Sequence, residues 1–344
     1  MSRNAVSEPR QASTPTLPGL LPYFVTLIAC WLGLVIFASI LAHREHESWI
    51  VSAALPAFLT ESVFYLGALF AGFRAWFAER FWSWTQGGIL WAGALAPYLV
   101  FSLLANTFHS RAFLLLAGLT AVLSFWFVFA PRRAAYDVGF LVLAAAPVLL
   151  RIFPRIYIAP TSHTFVRIDY LGHLMVVHVA VLALLVLRQW NPGPVGPWPN
   201  RAEWRAGVLY YLVAVAPLCA LALSLHAVKF APRTGYWWML AGLAAGYFAG
   251  MFWVTVFSEE LLFRGVIERS LLDNWRSRWA AIVVSSLLFG AVHLWVRHFP
   301  NWNWMSIATV LGLFLGWAYA RTGSIRATMV THTLVIVTWR MLFS

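Results

Sequence analysis

The stretch "YWWMLAGLAAGYFAGMFWVTVFSEELLFRG", residues 236–265, decides the fold of this protein. Residues 236–257 carry no charge, and about 20 consecutive apolar residues are enough to cross a bilayer as a helix. Two carboxylates and a guanidinium follow at once, at Glu259, Glu260 and Arg264. We expect the membrane helix to end near Phe257 and these charged residues to lie just beyond its end.

The composition extends this reading to the whole chain of 344 residues. Hydrophobic residues make up 61% and charged residues only 10%, whereas about a quarter of a soluble domain is charged. The apolar runs show no alternation of the kind that barrel strands require, so they predict helices. The predicted fold class is therefore an all-α, polytopic transmembrane helical bundle of about 11 spans. The predicted spans are 20–42, 50–72, 88–105, 112–130, 136–153, 170–187, 206–226, 236–257, 279–296, 304–320 and 325–343.

The loops suggest a division of the chain into four parts. Residues 1–19 are polar and rich in Pro and Ser, which predicts a short disordered cytoplasmic tail. A six-span membrane module follows at 20–187. Residues 188–205 contain "NPGPVGPWPN" and predict a stiff Pro/Gly-rich linker. Residues 206–344 form the C-terminal membrane domain.

The net charge of +12 points to the lipid bilayer as partner and not to nucleic acid. The basic residues stand singly or in pairs between apolar runs, which is typical of anchors that flank membrane helices. Fifteen of the 24 basic residues fall in the tail and in every second loop after it. Because such residues favour the cytoplasmic side, we expect the N-terminus and residues 258–278 to be cytoplasmic.

The charged stretch and two later histidines form a candidate catalytic set. Glu260 and Arg264 are spaced i, i+4, which suits an ion pair on one helix, while Glu259 has no local partner and is a candidate general base. His293 lies in span 279–296 and His332 lies near the middle of the last span. A carboxylate and imidazoles that converge in a bundle can hold and deprotonate a water, with or without a metal. The alternative is a purely structural role, in which the two acids only flank a helix end and the histidines are packed in the core.

The motifs resemble the CAAX-protease and bacteriocin-processing family, whose members include prenyl-protein endopeptidases of the Rce1 type. The resemblance rests on E-E-x-x-x-R at 259–264, F-x-x-x-H at 289–293, and a later helix with His332. It covers roughly residues 205–343 and implies that residues 206–344 are an intramembrane protease domain. The six spans before it are not explained by the resemblance.

The resemblance also implies a role for each motif residue, and all of them would be catalytic-site residues. Glu259 would activate water, and His293 would share that water. His332 would stabilise the oxyanion, and Glu260 with Arg264 would hold the geometry of the site. Phe289 would pack behind them.

Metal dependence is left open by the family, which has been discussed both as glutamate proteases and as zinc enzymes. Glu259, His293 and His332 would be the ligands of a metal, and zinc is the ion that such a set fits. The third motif of the family is usually H-x-x-x-N, and here Ile336 stands in place of the asparagine. An isoleucine side chain cannot donate a hydrogen bond, so this departure puts catalysis in question.

Three functions are compatible with these features. The first is an endopeptidase that cleaves a membrane-anchored or lipid-modified protein or peptide, in a bacterial inner (cytoplasmic) membrane. The second is a non-catalytic membrane scaffold or immunity-type binding protein with the same fold. A proton-coupled transporter ranks last, because the inverted repeats that such proteins often have are not visible.

Some residues outside the motifs also carry expectations. Glu61 within span 50–72 is either a second functional carboxylate or a hydrogen-bonded structural one. Asp169 and His173 are spaced i, i+4 and predict a simple Asp–His pair, with His178 nearby.

Gly242, Gly246 and Gly250 have the spacing that permits close helix contact, which predicts that span 236–257 packs inside the bundle. Cys30 and Cys219 are expected to be unpaired, as their spacing fits neither a disulfide nor a metal site.

Overall fold

The computed structural model describes residues 17–45, 48–158 and 166–344. This part of the chain is 81% helical and contains no strands, which confirms the predicted all-α class. Its extended backbone is limited to loops and to one isolated bridge between Phe230 and Phe343. Of the predicted tail, residues 1–16 lie outside the described residues.

Helices overlie all of the predicted spans. The first eight are α1 (Leu17–Glu45), α2 (Ser48–Leu69), α3 (Ala71–Arg80), α4 (Ser83–Leu104), α5 (Ser110–Phe129), α6 (Ala134–Leu149), α7 (Phe153–Ile156) and α8 (Tyr170–Leu182). The last seven are α9 (Arg201–Ser224), α10 (Trp237–Gly250), α11 (Phe257–Glu260), α12 (Arg269–Asn274), α13 (Arg278–Val292), α14 (Trp302–Thr322) and α15 (Ile325–Leu342). Short π-helical or 3₁₀ turns extend α8 and α13 and connect α10, α11 and α12.

Eight helices in the described part are long and apolar enough to cross a membrane by length and composition alone. They are Gly19–His43, Trp49–Leu69, Ser83–Leu104, Ser110–Phe129, Tyr170–Leu187, Arg201–Ser224, Trp237–Asn274 and Arg278–Trp295. The other three predicted spans coincide with α6, which is shorter, and with α14 and α15, which are more polar. The chain is thus an integral membrane protein with up to about 11 spans.

The helix that begins at Trp237 does not end near Phe257, and in this respect the sequence-based expectation is wrong. α10, α11 and α12 are joined by the π-helical segments Met251–Val256 and Leu261–Glu268 into one helix, Trp237–Asn274. Its 38 residues correspond to roughly 55 Å, well beyond the hydrocarbon core of about 30 Å. Residues 258–274 therefore continue the helix and are not a loop, and Arg264 is a fully buried residue rather than a loop anchor.

The structure divides into two compact units. The first comprises residues 1–141 and 153–189, and the second comprises residues 142–152 and 190–344. In the second unit α9, α13, α14 and α15 pack against one another around an apolar core. The fully buried members of this core include Leu218, Phe289, Ile307, Leu315 and Val335.

The Pro/Gly-rich segment before α9 is bound along the second unit by hydrogen bonds. The indole N–H of Trp190 donates to the Gly265 carbonyl oxygen at 3.0 Å, and the Tyr319 hydroxyl donates to that of Pro192 at 3.2 Å. The Trp253 indole N–H donates to the Pro197 carbonyl oxygen at 2.8 Å. The contacts of Gly265 and Trp253 tie the segment to the helix that carries the glutamates, and that of Tyr319 ties it to α14.

α9 begins with a capping box, in which a side chain at each end of the first turn accepts from the other's backbone. Asn200 Oδ1 accepts from the Glu203 backbone N–H, and Glu203 Oε2 accepts from the Asn200 backbone N–H. Oε1 of Glu203 also accepts from Arg326 at 2.8 Å and from Ser324 at 2.6 Å. The start of α9 is thereby fixed to the start of α15, the helix that carries His332.

The three spaced glycines of α10 do not pack inside the bundle, and that prediction is wrong. Gly242, Gly246 and Gly250 are exposed, and a Cβ added at any of them would meet nothing within 4 Å. No residue of α10 among those described is buried. Both cysteines, Cys30 and Cys219, are free thiols, as expected.

Candidate functional site

The long helix Trp237–Asn274 places its two adjacent glutamates in different environments. Successive residues of a helix point in directions about 100° apart. Glu260 faces inward with a side chain that is 0% exposed, whereas the side chain of Glu259 is 29% exposed. Glu260 is thus placed to hold neighbouring side chains in position, and Glu259 is open to an incoming water or ligand.

His332 of α15 lies between these two carboxylates. Its Nδ1 is 2.8 Å from Oε1 of Glu260, and its Nε2 is 3.8 Å from Oε2 of Glu259. Because an ionised carboxylate can only accept, the proton of this hydrogen bond is assigned to Nδ1. Glu260 therefore orients the ring so that Nε2 faces Glu259.

Arg264 is buried between two carboxylates, of which the sequence had suggested only one. Its Nε lies 3.5 Å from Oε2 of Glu260 and 3.8 Å from Oε2 of Glu268. Its Nη1 donates to the Ser285 hydroxyl at 3.3 Å, and its Nη2 donates to the Gly312 carbonyl oxygen at 3.4 Å. The predicted Glu260–Arg264 pair is present, within a larger buried network.

Glu268 belongs to this network and escaped the sequence analysis. Its side chain is 0% exposed, and neither carboxylate oxygen has a hydrogen-bond partner in the described part of the chain. A Cβ at Gly316 would lie 2.8 Å from its Oε2, so the glycine makes room for the carboxylate. The available signal was spacing, because Glu260, Arg264 and Glu268 are each four residues apart.

Phe289 is in contact with the side chains from each of the three motifs. Its ring is fully buried and stands 4.8 Å from the His293 ring and 5.6 Å from the His332 ring, centroid to centroid. The guanidinium carbon of Arg264 lies 5.1 Å from the centroid of the same ring, a cation–π distance. Phe263 packs edge-on at 5.1 Å. The sequence placed Phe289 behind the site, and the structure places it at the centre of the contacts.

His293 stands where α13 ends and the chain tightens into a 3₁₀ turn. Its Nδ1 is 2.8 Å from the backbone carbonyl oxygen of Phe289, one helical turn earlier, so Nδ1 carries the proton and Nε2 is free to accept. The ring is half-buried. Its link to the other motif residues is the packing against Phe289.

The predicted metal ligands do not form a metal-binding group in the described structure. No set of three His, Cys, Asp or Glu side chains in residues 17–45, 48–158 and 166–344 is arranged to hold a metal ion. Nδ1 of His332 is already used by Glu260, which leaves Nε2, 3.8 Å from Oε2 of Glu259, as the ring atom that could bind a metal. A zinc site made of Glu259, His293 and His332 remains a prediction, and no chemical step is derived from it.

The position of the missing asparagine is half-buried. Ile336 occupies it, one helical turn after His332. Of the nearby hydroxyls, Thr338 contacts the Tyr211 hydroxyl at 2.8 Å, and Thr333 is buried without a hydrogen-bond partner among the described residues. Asn301, which precedes α14, and Asn303, in its first turn, donate to backbone carbonyl oxygens instead.

The polar residues of the first unit pair differently from the expectation. The carboxylate of Asp169 pairs with Arg167 at 2.8 Å, and the His173 ring contacts only the backbone oxygen of Asp169, so the predicted Asp–His side-chain pair is wrong. The Arg167 guanidinium holds the pKa of Asp169 below its usual value. The buried carboxylate of Glu61 instead meets His178, at 2.6 Å.

Comparison with known proteins identifies the part of the chain that carries the site. The family model of type II CAAX prenyl endopeptidases, Rce1-like, matches residues 237–338. The match includes every residue of the site described above, and it leaves the first unit outside. No curated protein and no solved structure matches the chain.

Proposed function

We propose that this integral membrane protein, whose residues 237–338 are Rce1-like, is an endopeptidase that cleaves a membrane-anchored or lipid-modified protein or peptide. The Rce1-like family is a family of proteases. The observation that carries the proposal is the row of Glu259, His332 and Glu260, in which a partly open carboxylate faces an imidazole held by a buried one. Such a row supplies both a base and a donor for hydrolysis.

Glu259 is the base in this mechanism. It takes a proton from a water as the water oxygen bonds to the carbonyl carbon of the scissile peptide. The same proton then passes from Glu259 to the leaving nitrogen as the carbon–nitrogen bond breaks. A base positioned in this way contributes about 10²–10⁴ in rate.

His332 is the donor to the oxyanion. Its Nδ1–H is held by Glu260, and the buried negative charge of Glu260 stabilises the ring when Nε2 is also protonated. In this mechanism Nε2 carries a proton throughout, and it donates that N–H in a hydrogen bond, without transferring the proton, to the oxygen that becomes negative in the tetrahedral intermediate, a contribution of about 10²–10³ in rate. His293, which packs against Phe289, makes a second contact to the attacking water, beside that of Glu259, and so orients it.

The supporting residues act through these groups. Arg264 neutralises Glu260 within the buried network, so the carboxylate stays ionised and keeps its hydrogen bond to His332. The Phe289 ring lies between this network and His293. Its contacts fix the orientations of the His293 and His332 rings.

A second candidate is a non-catalytic membrane scaffold or immunity-type binding protein. It is favoured by Ile336, which leaves the family's third motif without its amide donor. In such a protein Glu259 would be dispensable, while the buried network of Glu260, Arg264 and Phe289 would still be needed for folding. This difference separates the two functions experimentally.

For the cellular setting we place the protein in a bacterial inner membrane with a cytoplasmic N-terminus. The excess of basic residues on one side of the predicted spans supports this orientation. Labelling of a Ser2→Cys variant with a membrane-impermeant thiol reagent tests it directly. The reagent should label Ser2→Cys in inverted vesicles and not in right-side-out vesicles.

The test of the proposed activity is mass spectrometry of the termini of membrane proteins in cells that express matched amounts of each variant. Wild type is compared with Glu259→Gln and His293→Ala, and with Glu79→Gln as a control, since Glu79 is an exposed acid of α3. Precursors that accumulate in both site variants but not in the control support the protease and identify its substrate. If all four proteins give the same termini while the variants remain folded, the scaffold function takes its place.

A further inference from the structure

The first unit contains a second buried carboxylate–imidazole pair, outside the Rce1-like segment. Glu61 of α2 and His178 of α8 are 117 residues apart in sequence, and Oε1 of Glu61 lies 2.6 Å from Nδ1 of His178. The two side chains are 1% and 0% exposed, respectively. The Phe64 ring stacks on the imidazole with centroids 5.5 Å apart. The pair has the same atoms in contact as Glu260 and His332.

This pair leaves both of its outer atoms unsatisfied, and it has no counterpart of Arg264, whose Nε lies 3.5 Å from the outer oxygen of Glu260. Oε2 of Glu61 and Nε2 of His178 are buried and have no hydrogen-bond partner in the part of the chain that the structure describes. The hydroxyl of Tyr157, which is also buried, has none there either. Buried polar groups without partners are rare, because each loses its hydrogen bonds to water.

The charge of the pair gives the reason for these unsatisfied atoms. With one proton, on Nδ1 of His178, Glu61 is negative, the ring is neutral and the pair carries a net charge of −1. An isolated charge is strongly unfavourable in a low-dielectric interior. One added positive charge makes the pair neutral, and the two atoms able to receive a proton, Oε2 and Nε2, are those left without partners.

The titratable groups that interact electrostatically with Glu61 are His178, Tyr65 and Tyr157. The other titratable and charged side chains described on the helices that pack against α2 and α8 are Tyr23, Cys30, His43, Arg74, Glu79, Arg80, Tyr98, Arg111, Arg155, Tyr170 and His173. Arg74 donates to the Ala68 carbonyl oxygen, and Tyr98 donates to that of His109. Burial raises the pKa of Tyr157, and the charge of Glu61 adds to this effect, so its hydroxyl remains neutral.

We propose that Glu61, His178 and Tyr157 form a site that binds one monovalent positive charge, either a proton or a small alkali cation. A proton sits on Oε2 or Nε2. An alkali cation takes Oε2 of Glu61 and the Tyr157 hydroxyl oxygen as ligands, with Nε2 of His178 beside them. Carboxylates inside membrane domains are typical of ion and proton sites. The site is independent of the protease chemistry, and it assigns a ligand to the unit that the family match does not cover.

The test measures the thermal midpoint, Tm, of the full-length protein in detergent as a function of pH and of Na⁺ concentration. The quantity of interest is the Tm of wild type minus that of Glu61→Gln, because carboxylates of the other site contribute equally to both proteins. The background cation is N-methylglucamine. Na⁺ and K⁺ are added separately at each pH.

A bound proton predicts that this difference falls as the pH rises. The folded wild type holds a proton that the unfolded chain releases at neutral pH, so a higher pH favours unfolding only where Glu61 is present. The expected fall is roughly 2 °C per pH unit over the range in which the folded protein still holds the proton and the unfolded chain has released it, and it stops once the folded protein releases the proton too. A bound alkali cation predicts instead that Na⁺ or K⁺ raises the Tm of wild type at high pH and leaves Glu61→Gln unchanged.

Asp169→Asn is the matched control in the same unit. Asp169 is ion-paired with Arg167 and its pKa is lowered, so its contribution to stability is lost as the pH falls, the opposite direction. If the Tm difference for Glu61→Gln is constant across pH and indifferent to Na⁺ and K⁺, the proposal is wrong.

Tyr157→Phe covers the case in which Glu61→Gln does not fold. It removes one hydroxyl and keeps the ring packing against Tyr98. Under the proposal, Tyr157→Phe changes one of two concentrations by at least about threefold. These are the proton concentration at the midpoint of the pH dependence and the half-saturating cation concentration. An unchanged midpoint with no cation effect in either protein assigns these residues to packing alone.

Discussion

Glu260 and His332 are joined by a hydrogen bond of 2.8 Å between side chains 72 positions apart in the chain, and both are buried. This contact connects the first and third motifs of the site. Because it fixes the imidazole through Nδ1, it leaves Nε2 to face Glu259 and the space open to a substrate. The chemistry proposed for Glu259 depends on this prior arrangement of His332.

We expect Glu260→Gln to lower the turnover number by about 10² or more while the protein stays folded. The amide keeps the shape of the side chain but removes the charge that supports a protonated His332. The measurement is the rate of substrate cleavage at saturating substrate in proteoliposomes. Ser258→Ala, two positions earlier and with its hydroxyl bonded to carbonyl oxygens of its own helix, serves as control. Turnover within a factor of two of wild type would contradict the role of Glu260.

Arg264→Met should destabilise the protein by about 3–5 kcal/mol, because it leaves Glu260 and Glu268 buried without their cation. The exposed Arg321 at the end of α14 provides the control, and Arg321→Met should change stability by less than about 0.5 kcal/mol. Thermal unfolding in detergent compares the two. Similar losses for both variants would mean that the buried network contributes little.

Gly316→Ala and Gly242→Ala make the same change in two different surroundings. At Gly316 the new Cβ would lie 2.8 Å from Oε2 of Glu268 and 3.0 Å from a methyl carbon of Ile282, so we expect a loss of about 1–3 kcal/mol. At Gly242 nothing lies within 4 Å, and the better helix propensity of alanine should leave stability equal or higher by up to about 1 kcal/mol. Unfolding midpoints measured side by side decide the matter. The opposite order would show that Glu268 is not confined by Gly316.

Phe289→Ala should lower stability by about 3–5 kcal/mol, as expected for removal of a fully buried aromatic ring. Activity should fall further than the folded fraction does, because His293 and His332 lose the ring that both of them contact. Phe129, exposed at the end of α5, is the control, and Phe129→Ala should have little effect on either quantity. Activity per folded molecule is the deciding measurement. If it is unchanged in Phe289→Ala, the ring only fills space.

Ile336→Asn restores the amide that the family's third motif usually has. If the site lacks a second oxyanion donor beside His332, the change should raise the turnover number about tenfold or more, within the range that such a donor supplies. Ile336→Leu is the control, because it keeps the apolar character and the volume. Cleavage rates for the substrate found by mass spectrometry compare the three proteins. Equal rates for Ile336→Asn and wild type would mean that another group already makes this hydrogen bond.

The helical class and the positions of the membrane spans were predictable, because each span is a run of apolar residues long enough to be recognised alone. The pairing of Glu260 with Arg264 was predictable for the same local reason, since the two are one turn apart. The continuation of the helix past Phe257 was not. The charged residues suggested water, whereas in the structure Arg264 lies between the two carboxylates inside the bundle.

Contacts between distant segments left no comparable trace in the sequence. Nothing in the spacing of Glu61 and His178 indicates that they meet, since a hydrogen bond across 117 positions depends on how α2 and α8 pack. The glycines of α10 show the converse error. Their spacing permits close packing, but whether another helix lies against them is set by the rest of the chain, and in the described structure none does.

The buried network around Arg264 also bears on the order of synthesis. The long helix with Glu260, Arg264 and Glu268 leaves the ribosome before the segments that carry Ser285, Gly312 and His332. Until α13, α14 and α15 have followed, its charged half has no complete set of partners, and bare charges at membrane depth are unfavourable by about 2.5–3.5 kcal/mol each at insertion. The nascent chain must therefore hold this half of the helix near water, or near the insertion machinery, until α15 arrives. The site is therefore complete only once α15 has been inserted.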